Sequence, residues 1–182
     1  MSQLLLKKIT IFLSVDQQAI NTYFNKHDPA PIYKRQLSHV FEQYIMSSIA
    51  SAKRYSAFDY KVTCKGEEDV QYVEPLLYAI RGHFMEKKLQ KDAEFEKFKR
   101  RTYMLLFMSL AVVMICHVAL PLLLRGENGI TAGLNNSLEI FGWVILWQPI
   151  DKLIFQWNPY LKEISIMDRL AKAELIIVKN AG

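Results

Sequence analysis

The sequence predicts an α+β membrane protein, in which a small cytoplasmic α+β domain is joined to a two-helix transmembrane hairpin. Two observations lead to this fold class. Tyr103–Leu124 is a run of 22 residues without a formal charge, and short β-branched segments near both ends of the chain have the composition of strands. The 182 residues leave room for one soluble domain of about 100 residues and a small membrane region.

The uncharged run is long enough to cross a bilayer. As a helix it would extend about 33 Å, compared with a hydrocarbon core of about 30 Å. Twelve of its residues are Leu, Ile, Val or Phe, and their transfer free energies outweigh the cost of Ser109 and a neutral His117. The alternative is a buried core helix of a soluble protein, but a chain this short has little with which to surround such a helix.

The basic residues are concentrated before this run. Residues 1–102 contain 17 Lys or Arg and 12 Asp or Glu, whereas residues 103–182 contain six of each. The densest basic group directly precedes the run and consists of Lys97, Lys99, Arg100 and Arg101. Nucleic-acid binding is one interpretation of such an excess, but this position favours a membrane surface. The positive-inside rule therefore predicts a cytoplasmic amino-terminal domain at the cell inner membrane, with the basic group at anionic lipid headgroups.

A second apolar segment has two interpretations. Ile140–Ile150 is too short to span a bilayer, and extending it to about Leu134–Phe155 takes in several polar residues and Pro149, which would kink a helix. In one interpretation a kinked helix crosses back after an external loop near Arg125–Ser137, so that the chain has two spans and both termini are cytoplasmic. In the other, a re-entrant or interfacial segment leaves the carboxyl terminus outside. Basic residues in the tail favour the return, and they are Lys162, Arg169, Lys172 and Lys179.

The remaining segments predict the cytoplasmic domain. Three β-branched or alternating segments indicate strands at Lys8–Val15, Ala57–Lys65 and Glu174–Lys179. An apolar stripe over Leu37–Ile49, which includes Val40 and Tyr44, predicts an amphipathic helix.

A second, longer helix is predicted to run from about Pro75 into the bilayer, with a break near Lys91–Asp92 as the alternative. A lone last strand would leave its edge groups unpaired, so it is expected to complete the amino-terminal sheet. The predicted domains are therefore residues 1–102, the hairpin 103–157 and the tail 158–182.

The segment Trp147-Gln-Pro-Ile-Asp, followed after five residues by Trp157-Asn-Pro-Tyr, carries a resemblance, together with Asp28-Pro29 and the helix near Leu37–Ile45. These features resemble a family of uncharacterised bacterial proteins. Its members have a cytoplasmic amino-terminal region, two membrane helices, a Trp-x-Pro-hydrophobic-acidic motif and a following Trp-Pro pair. This chain has Trp157-Asn-Pro where the family has adjacent Trp and Pro. The resemblance covers most of the chain and implies the topology, but it implies no activity.

A few residues are candidates for chemistry or anchoring. His117 and Asp151 are polar groups in or next to apolar runs, where they could form an ion path, although a helix contact and a boundary carboxylate are the simpler interpretations. Asp151 could contact Lys152, Arg169 or the headgroup region. Interfacial anchors are predicted from Trp147, Pro149, Trp157 and Pro159. His27, His39 and His83 lack metal-like spacing and are expected to be surface or packing residues.

No phosphate loop, nucleophile elbow, HExxH motif or CxxC pair occurs in the sequence. The sequence therefore favours a non-enzymatic interaction or scaffold protein without a cofactor or nucleic-acid partner. It would present its cytoplasmic module to a membrane or cytoplasmic protein, and homo-oligomerisation is expected. The alternative is an oligomeric channel or membrane-perturbing effector gated by the cytoplasmic domain.

Overall fold

The computed structural model describes residues 8–119 and 129–179. In these ranges the strands are β1 (Lys8–Val15), β2 (Ala57–Cys64) and β3 (Glu174–Lys179). The α-helices are α1 (His39–Ser48), α2 (Val73–Met114), α3 (Gly129–Asp151) and α4 (Trp157–Ala171). Short 3-10 helices occur at Ala19–Tyr23, Ile32–Lys34 and Glu68–Tyr72, and π-helical turns at Ile115–Ala119 and Lys152–Gln156.

The chain divides into two compact units. The first, called the module below, consists of Met1–Lys91 and Leu161–Gly182. The second, called the helical unit, is Asp92–Tyr160. The end of the predicted first span (120–124) and the start of the predicted loop (125–128) lie outside the described residues. The rest of that predicted loop is helical, because α3 begins at Gly129.

The predicted three-stranded sheet is present, and its last strand comes from the carboxyl-terminal end of the chain. The strand order is β1-β2-β3, and both pairings are parallel. β1 and β3 have the predicted bounds, whereas β2 ends at Cys64, one residue before the predicted end. The sequence indicated the strands but not their direction, which depends on the connections between them.

The helices of the module lie on one face of this sheet. Two crossovers connect the strands, and both step in the same direction across the sheet. Because such crossovers are almost always right-handed, both place their helices on the same face. The alternating residues of that face form the core, and on β1 and β2 they are Ile11, Leu13, Val15, Phe58, Tyr60, Val62 and Cys64.

Helix α1 begins at a typical amino-terminal cap. The Ser38 hydroxyl accepts a hydrogen bond from the backbone N–H of Phe41 at 3.2 Å. Phe41 and Ile45 are buried in the core, but Val40 is 78% exposed and Tyr44 45% exposed. The predicted apolar stripe was therefore too wide, since only residues spaced by four face the sheet.

Helix α2 begins at Val73 with Pro75 in its first turn, where a missing N–H costs no helical hydrogen bond. It is continuous through Lys91–Asp92, so the alternative of a break there is wrong. Its first turns pack into the core of the module through Val73, Leu76, Leu77, Ile80 and Phe84. Leu89, further along α2, is 61% exposed.

Helix α4 was not predicted from the sequence. Pro159 lies in its first turn, a position that tolerates proline, although the Trp-Pro segment had been interpreted only as an anchor. Its last turns bury Ile166, Met167, Leu170 and Ala171. The Tyr60 hydroxyl donates a hydrogen bond to the Leu170 carbonyl at 3.2 Å, which links β2 to the end of α4. The chain then continues directly into β3.

Candidate functional site

Helix α3 passes very close to the end of α2 in the helical unit. A Cβ atom added to Gly142 would lie 3.3 Å from Cε1 of His117 and 3.5 Å from Cγ2 of Val113. Gly142 itself is buried. The absence of a side chain at residue 142 therefore allows this close approach, and His117 is a helix-contact residue.

A second contact between the two helical segments is aromatic. Phe95 on α2 lies 5.2 Å from the ring of Trp157, and Phe98 stacks on Tyr160 at 5.1 Å. Within the helical unit, Phe95 and Phe98 of α2 thus contact the start of α4. Val113 and His117, which come later in the chain, lie beside Gly142, which precedes α4. The two segments therefore run antiparallel, as in a helical hairpin.

Three polar side chains near the end of α2 and in the π-helical turn after it form hydrogen bonds within their own helical segment. The hydroxyls of Thr102 and Ser109, both buried, donate to the carbonyls four residues earlier at 2.9 Å and 2.8 Å. Nδ1 of His117 likewise lies 3.1 Å from the Val113 carbonyl. Each of these three side chains therefore has a hydrogen-bond partner in the preceding turn of its own helical segment.

The outer surface of the helical unit is apolar and exposed. One helix in the described part of the chain, Glu68–Val118, is long and apolar enough to cross a membrane. Only 6% of its most apolar segment is buried. The hairpin contacts cover one side of each helix and leave the other sides open. Strongly exposed apolar side chains on the described parts of these helices include Met104, Phe107, Ile140, Trp143, Val144 and Trp147.

The predicted second span is less apolar than the first. Among the described helices, only Glu68–Val118 is long and apolar enough to cross a membrane. Helix α3 is not apolar enough, because its sequence includes Asn135, Asn136 and Glu139. Pro149 lies inside α3, is buried, and does not end the helical path. A π-helical turn at Lys152–Gln156 follows and leads into α4, so the predicted kink region is helical throughout.

The predicted basic group divides into two environments. Lys97, Arg100 and Arg101 are exposed. Lys99 instead forms a 2.6 Å ion pair with Glu96 and lies 5.9 Å above the Phe95 ring. Three cations therefore remain exposed at the point where the apolar surface begins.

The other predicted residues take different positions. Asp151 is half-buried at the end of α3, and no other described residue is recorded as its hydrogen-bond or ion-pair partner. Arg169, one of the possible partners of Asp151 in the sequence analysis, donates to the backbone carbonyls of Tyr55 and Ser56. Trp147 is 66% exposed, whereas Trp157 is half-buried in the aromatic contact.

The module contains a polar pocket that the sequence did not indicate. Its volume is about 830 Å³, and its walls come from α1, α2 and the segment before α1. Glu42 on α1 accepts from Nε2 of His83 at 3.2 Å and also pairs with the Lys87 ammonium. His83 and Lys87 lie one turn apart on α2, but Glu42 lies on another helix, so spacing in the sequence could not reveal the cluster. We call these three residues the α1–α2 charge cluster.

The cluster favours a neutral histidine and an ionised carboxylate. Burial lowers the pKa of His83, and Lys87 lowers it further, while Glu42 opposes both effects. Burial alone would raise the pKa of Glu42, but the hydrogen bond and charge of Lys87, with the contribution of His83, leave it below its ordinary value. A neutral imidazole N–H then donates to a charged carboxylate, which is a strong hydrogen bond.

Within residues 8–119 and 129–179 no group of three or more His, Cys, Asp or Glu side chains is placed to hold a metal ion. No protein-family model, curated protein or solved structure matches this chain.

Proposed function

We propose that this chain is a non-enzymatic inner-membrane protein whose helical unit crosses the bilayer twice and holds the module in the cytoplasm for interaction with a protein partner. The observation that carries the topology is the pairing of β3 with β2. Strands of one sheet lie on the same side of a membrane. Any crossing after β2 therefore requires a return crossing before β3.

The first crossing is supported by exposed apolar area. Soluble monomers rarely expose contiguous apolar patches larger than a few hundred Å². Here Phe107 is 74% exposed and Trp143 69% exposed, on two helices that pack together through their opposite sides. Exposure of such a surface is unfavourable in water but not in the hydrocarbon core of a lipid bilayer.

The return crossing is supported by α3 and its antiparallel contacts with α2. Its 23 residues correspond to about 35 Å of helix, which matches the hydrocarbon thickness. The polar residues that weaken its hydropathy are concentrated in its first half, and Asp151 is its last residue. Gly142 allows the close packing through which membrane helices typically associate.

Orientation is supported by Lys97, Arg100 and Arg101. Cations beside the cytoplasmic leaflet gain on the order of 1 kcal/mol each from anionic lipids. These three side chains are exposed directly before the apolar surface, so they favour a cytoplasmic module and anionic headgroups as the lipid partner.

Labelling of single cysteines tests the topology. In a background with Cys64 and Cys116 replaced by serine, we expect Asn128→Cys to react with a membrane-impermeant maleimide added to spheroplasts. Glu67→Cys and Lys172→Cys should react only after lysis. Labelling of Lys172→Cys from outside would contradict the two-span proposal, and protection of Asn128→Cys would contradict any crossing. Labelling after lysis controls for the reactivity of each cysteine.

The interaction role is supported by the pocket that the module offers between α1, α2 and the segment before α1. We expect the detergent-solubilised particle to have the mass of a homo-oligomer or of a complex with a second protein. The internal hydrogen bonds of Thr102 and Ser109 do not support the channel alternative. We therefore expect no ion flux in liposomes. Flux that is lost in His117→Ala or Asp151→Ala would favour the channel instead.

A further inference from the structure

We propose that an exposed tyrosine grouped with basic residues on the module is the docking surface for an acidic segment of a protein partner. We call this surface the Tyr55 patch, and its residues are Lys53, Arg54, Tyr55, Lys162 and Arg169. This role rests on the proposed protein partner of the module but not on the membrane topology, because all five residues belong to the module.

The turn that carries Tyr55 is held in place by hydrogen bonds. The Ser56 N–H donates to the Lys53 carbonyl at 3.0 Å, and the Lys53 N–H donates to the Ser56 hydroxyl at 2.9 Å. The Ser165 hydroxyl on α4 donates to the Arg54 carbonyl at 2.9 Å. Tyr55 itself is 59% exposed. Because the backbone of this turn is already held, little conformational entropy is lost when a partner contacts the ring.

Two guanidinium groups lie against the Tyr55 ring. The central carbon of the Arg54 guanidinium is 5.5 Å from the ring centroid, and that of Arg169 is 5.8 Å from it. Nη1 of Arg169 also donates to the carbonyls of Tyr55 and Ser56, at 2.9 Å and 3.2 Å, which orients its guanidinium. Within residues 8–119 and 129–179, Nε and Nη2 of Arg169 form no hydrogen bond. These two nitrogens form the side-on edge that can bind both oxygens of a carboxylate.

The acidic side chains of α4 are neutralised by other lysines. Glu163 forms an ion pair with Lys91 on α2 at 3.3 Å, and Asp168 forms one with Lys88 on α2 at 2.9 Å. Asp168 also pairs with Lys172 at 2.8 Å. Both carboxylates of this helix segment are therefore already paired with lysines outside the Tyr55 patch.

The basic residues of the patch have no such counter-charge among the described residues. Lys162 lies on the same face of α4 as Ser165 and Arg169, because residues three and four apart in a helix are neighbours. The contact of Ser165 with the Arg54 carbonyl joins this face to the turn that carries Tyr55. The patch therefore combines four cations with one exposed aromatic ring.

This arrangement favours protein carboxylates over a lipid or nucleic-acid surface. A planar guanidinium held in one orientation matches the two oxygens of a carboxylate, whereas attraction to an anionic membrane needs only diffuse positive charge. Arg and Tyr are also enriched among the few residues that dominate protein–protein binding. Because two guanidinium groups already contact the Tyr55 ring, less of the ring is open for stacking of a base.

Fluorescence anisotropy with a short acidic peptide tests the patch. The full chain is held in nanodiscs of phosphatidylcholine, which has no net charge, and is titrated against a labelled peptide of Glu, Asp and Leu. We expect this peptide to bind. A matched peptide with Gln and Asn in place of Glu and Asp should bind at least about tenfold more weakly, because it lacks the charges that the patch recognises.

Two substitutions test the roles of the guanidinium groups. Arg54→Gln should weaken binding of the acidic peptide at least about fivefold. Arg169→Lys should have a similar effect although it keeps the charge, because lysine lacks the side-on edge. The Arg54 guanidinium forms no hydrogen bond within the described residues, so its replacement tests the patch even if Arg169→Lys disturbs the turn.

Lys34→Gln is the matched control. Lys34 also lies beside an exposed tyrosine, 5.9 Å from the ring centroid of Tyr33, but outside the Tyr55 patch. Its replacement should change the dissociation constant less than about twofold. Equal effects of Arg54→Gln and Lys34→Gln, or no binding of the acidic peptide by the unmodified chain, would overturn the proposal.

Three other outcomes would also overturn it. Binding of phosphatidylserine vesicles or of single-stranded RNA that is lost in Arg54→Gln, without binding of the peptide, would assign the patch to a membrane or to a nucleic acid. A detergent-solubilised complex with a second protein whose mass is unchanged in the double variant Arg54→Gln, Arg169→Lys would place the partner at another surface. In that last case the docking surface is wrong, whereas the proposed function of the chain stands.

Discussion

The closure of the module by the end of the chain can be tested with one core substitution, Leu170→Ala. Leu170 is completely buried, and its carbonyl accepts the hydrogen bond from Tyr60 on the central strand. Truncation of a fully buried leucine costs about 2–5 kcal/mol, from lost transfer free energy and the cavity left behind. Because small domains are stable by only about 5–15 kcal/mol, this loss is a large part of the total.

Pulse proteolysis of the full chain in nanodiscs, over a urea series, measures the free energy of unfolding of the module. Leu89→Ala is the matched control, because Leu89 is 61% exposed and its truncation should cost less than about 0.5 kcal/mol. Equal effects of the two substitutions would refute the inference that α4 completes the core. The same result would remove the topological support for two spans, since that support requires β3 to remain in the sheet.

Three further predictions follow from individual contacts. Hydrogen bonds from Lys172 and Lys88 hold the pKa of the Asp168 carboxyl below its ordinary value of 3.8. The ionised carboxylate therefore contributes to the free energy of unfolding above that pH, and the contribution is lost as the pH falls through the pKa of the folded state. In urea unfolding, Asp168→Asn should be less stable than the unmodified chain at pH 7, and the two chains should become equally stable in acid. Ser38→Ala removes the cap on the Phe41 N–H and should lower the free energy of unfolding by about 1 kcal/mol, whereas no loss would show that the cap contributes nothing. Gly142→Leu should lower the melting temperature in detergent, because overpacking of a close contact costs about 1–3 kcal/mol. His117→Ala in the same chain should restore part of the melting temperature, because the two residues share the contact. Failure of this rescue would contradict the packing of Gly142 against His117.

Local sequence patterns predicted the strands well, because β-branched and alternating apolar residues, as in Lys8–Val15, fit the pleated and half-buried surface of a sheet. The parallel direction of the sheet depends on crossover geometry and was not visible in any segment. Helix α4 was predictable in principle, since Ile166, Met167 and Leu170 form an apolar stripe, but the nearby Trp157-Asn-Pro segment was interpreted only as a membrane anchor.

The features of the candidate sites were harder to predict. Glu42 and His83 are 41 residues apart, and only the packing of α1 against α2 brings them together. The packing role of Gly142 likewise depends on its contact with His117, which lies on another helical segment. Single residues such as Asp151 can be identified as unusual in their segment, but the sequence does not say which partner they meet.

The parallel pairing of β3 with β2 also affects how the protein is made. The Asp59↔Glu174 register joins residues that a ribosome synthesises far apart in time, so the sheet remains two-stranded until β3 has been translated. In the two-span arrangement, a chain whose last segment was left on the wrong side of the bilayer would keep an open β2 edge, a site of aggregation. In that arrangement, completion of the sheet requires β3 to lie on the same side of the bilayer as β2.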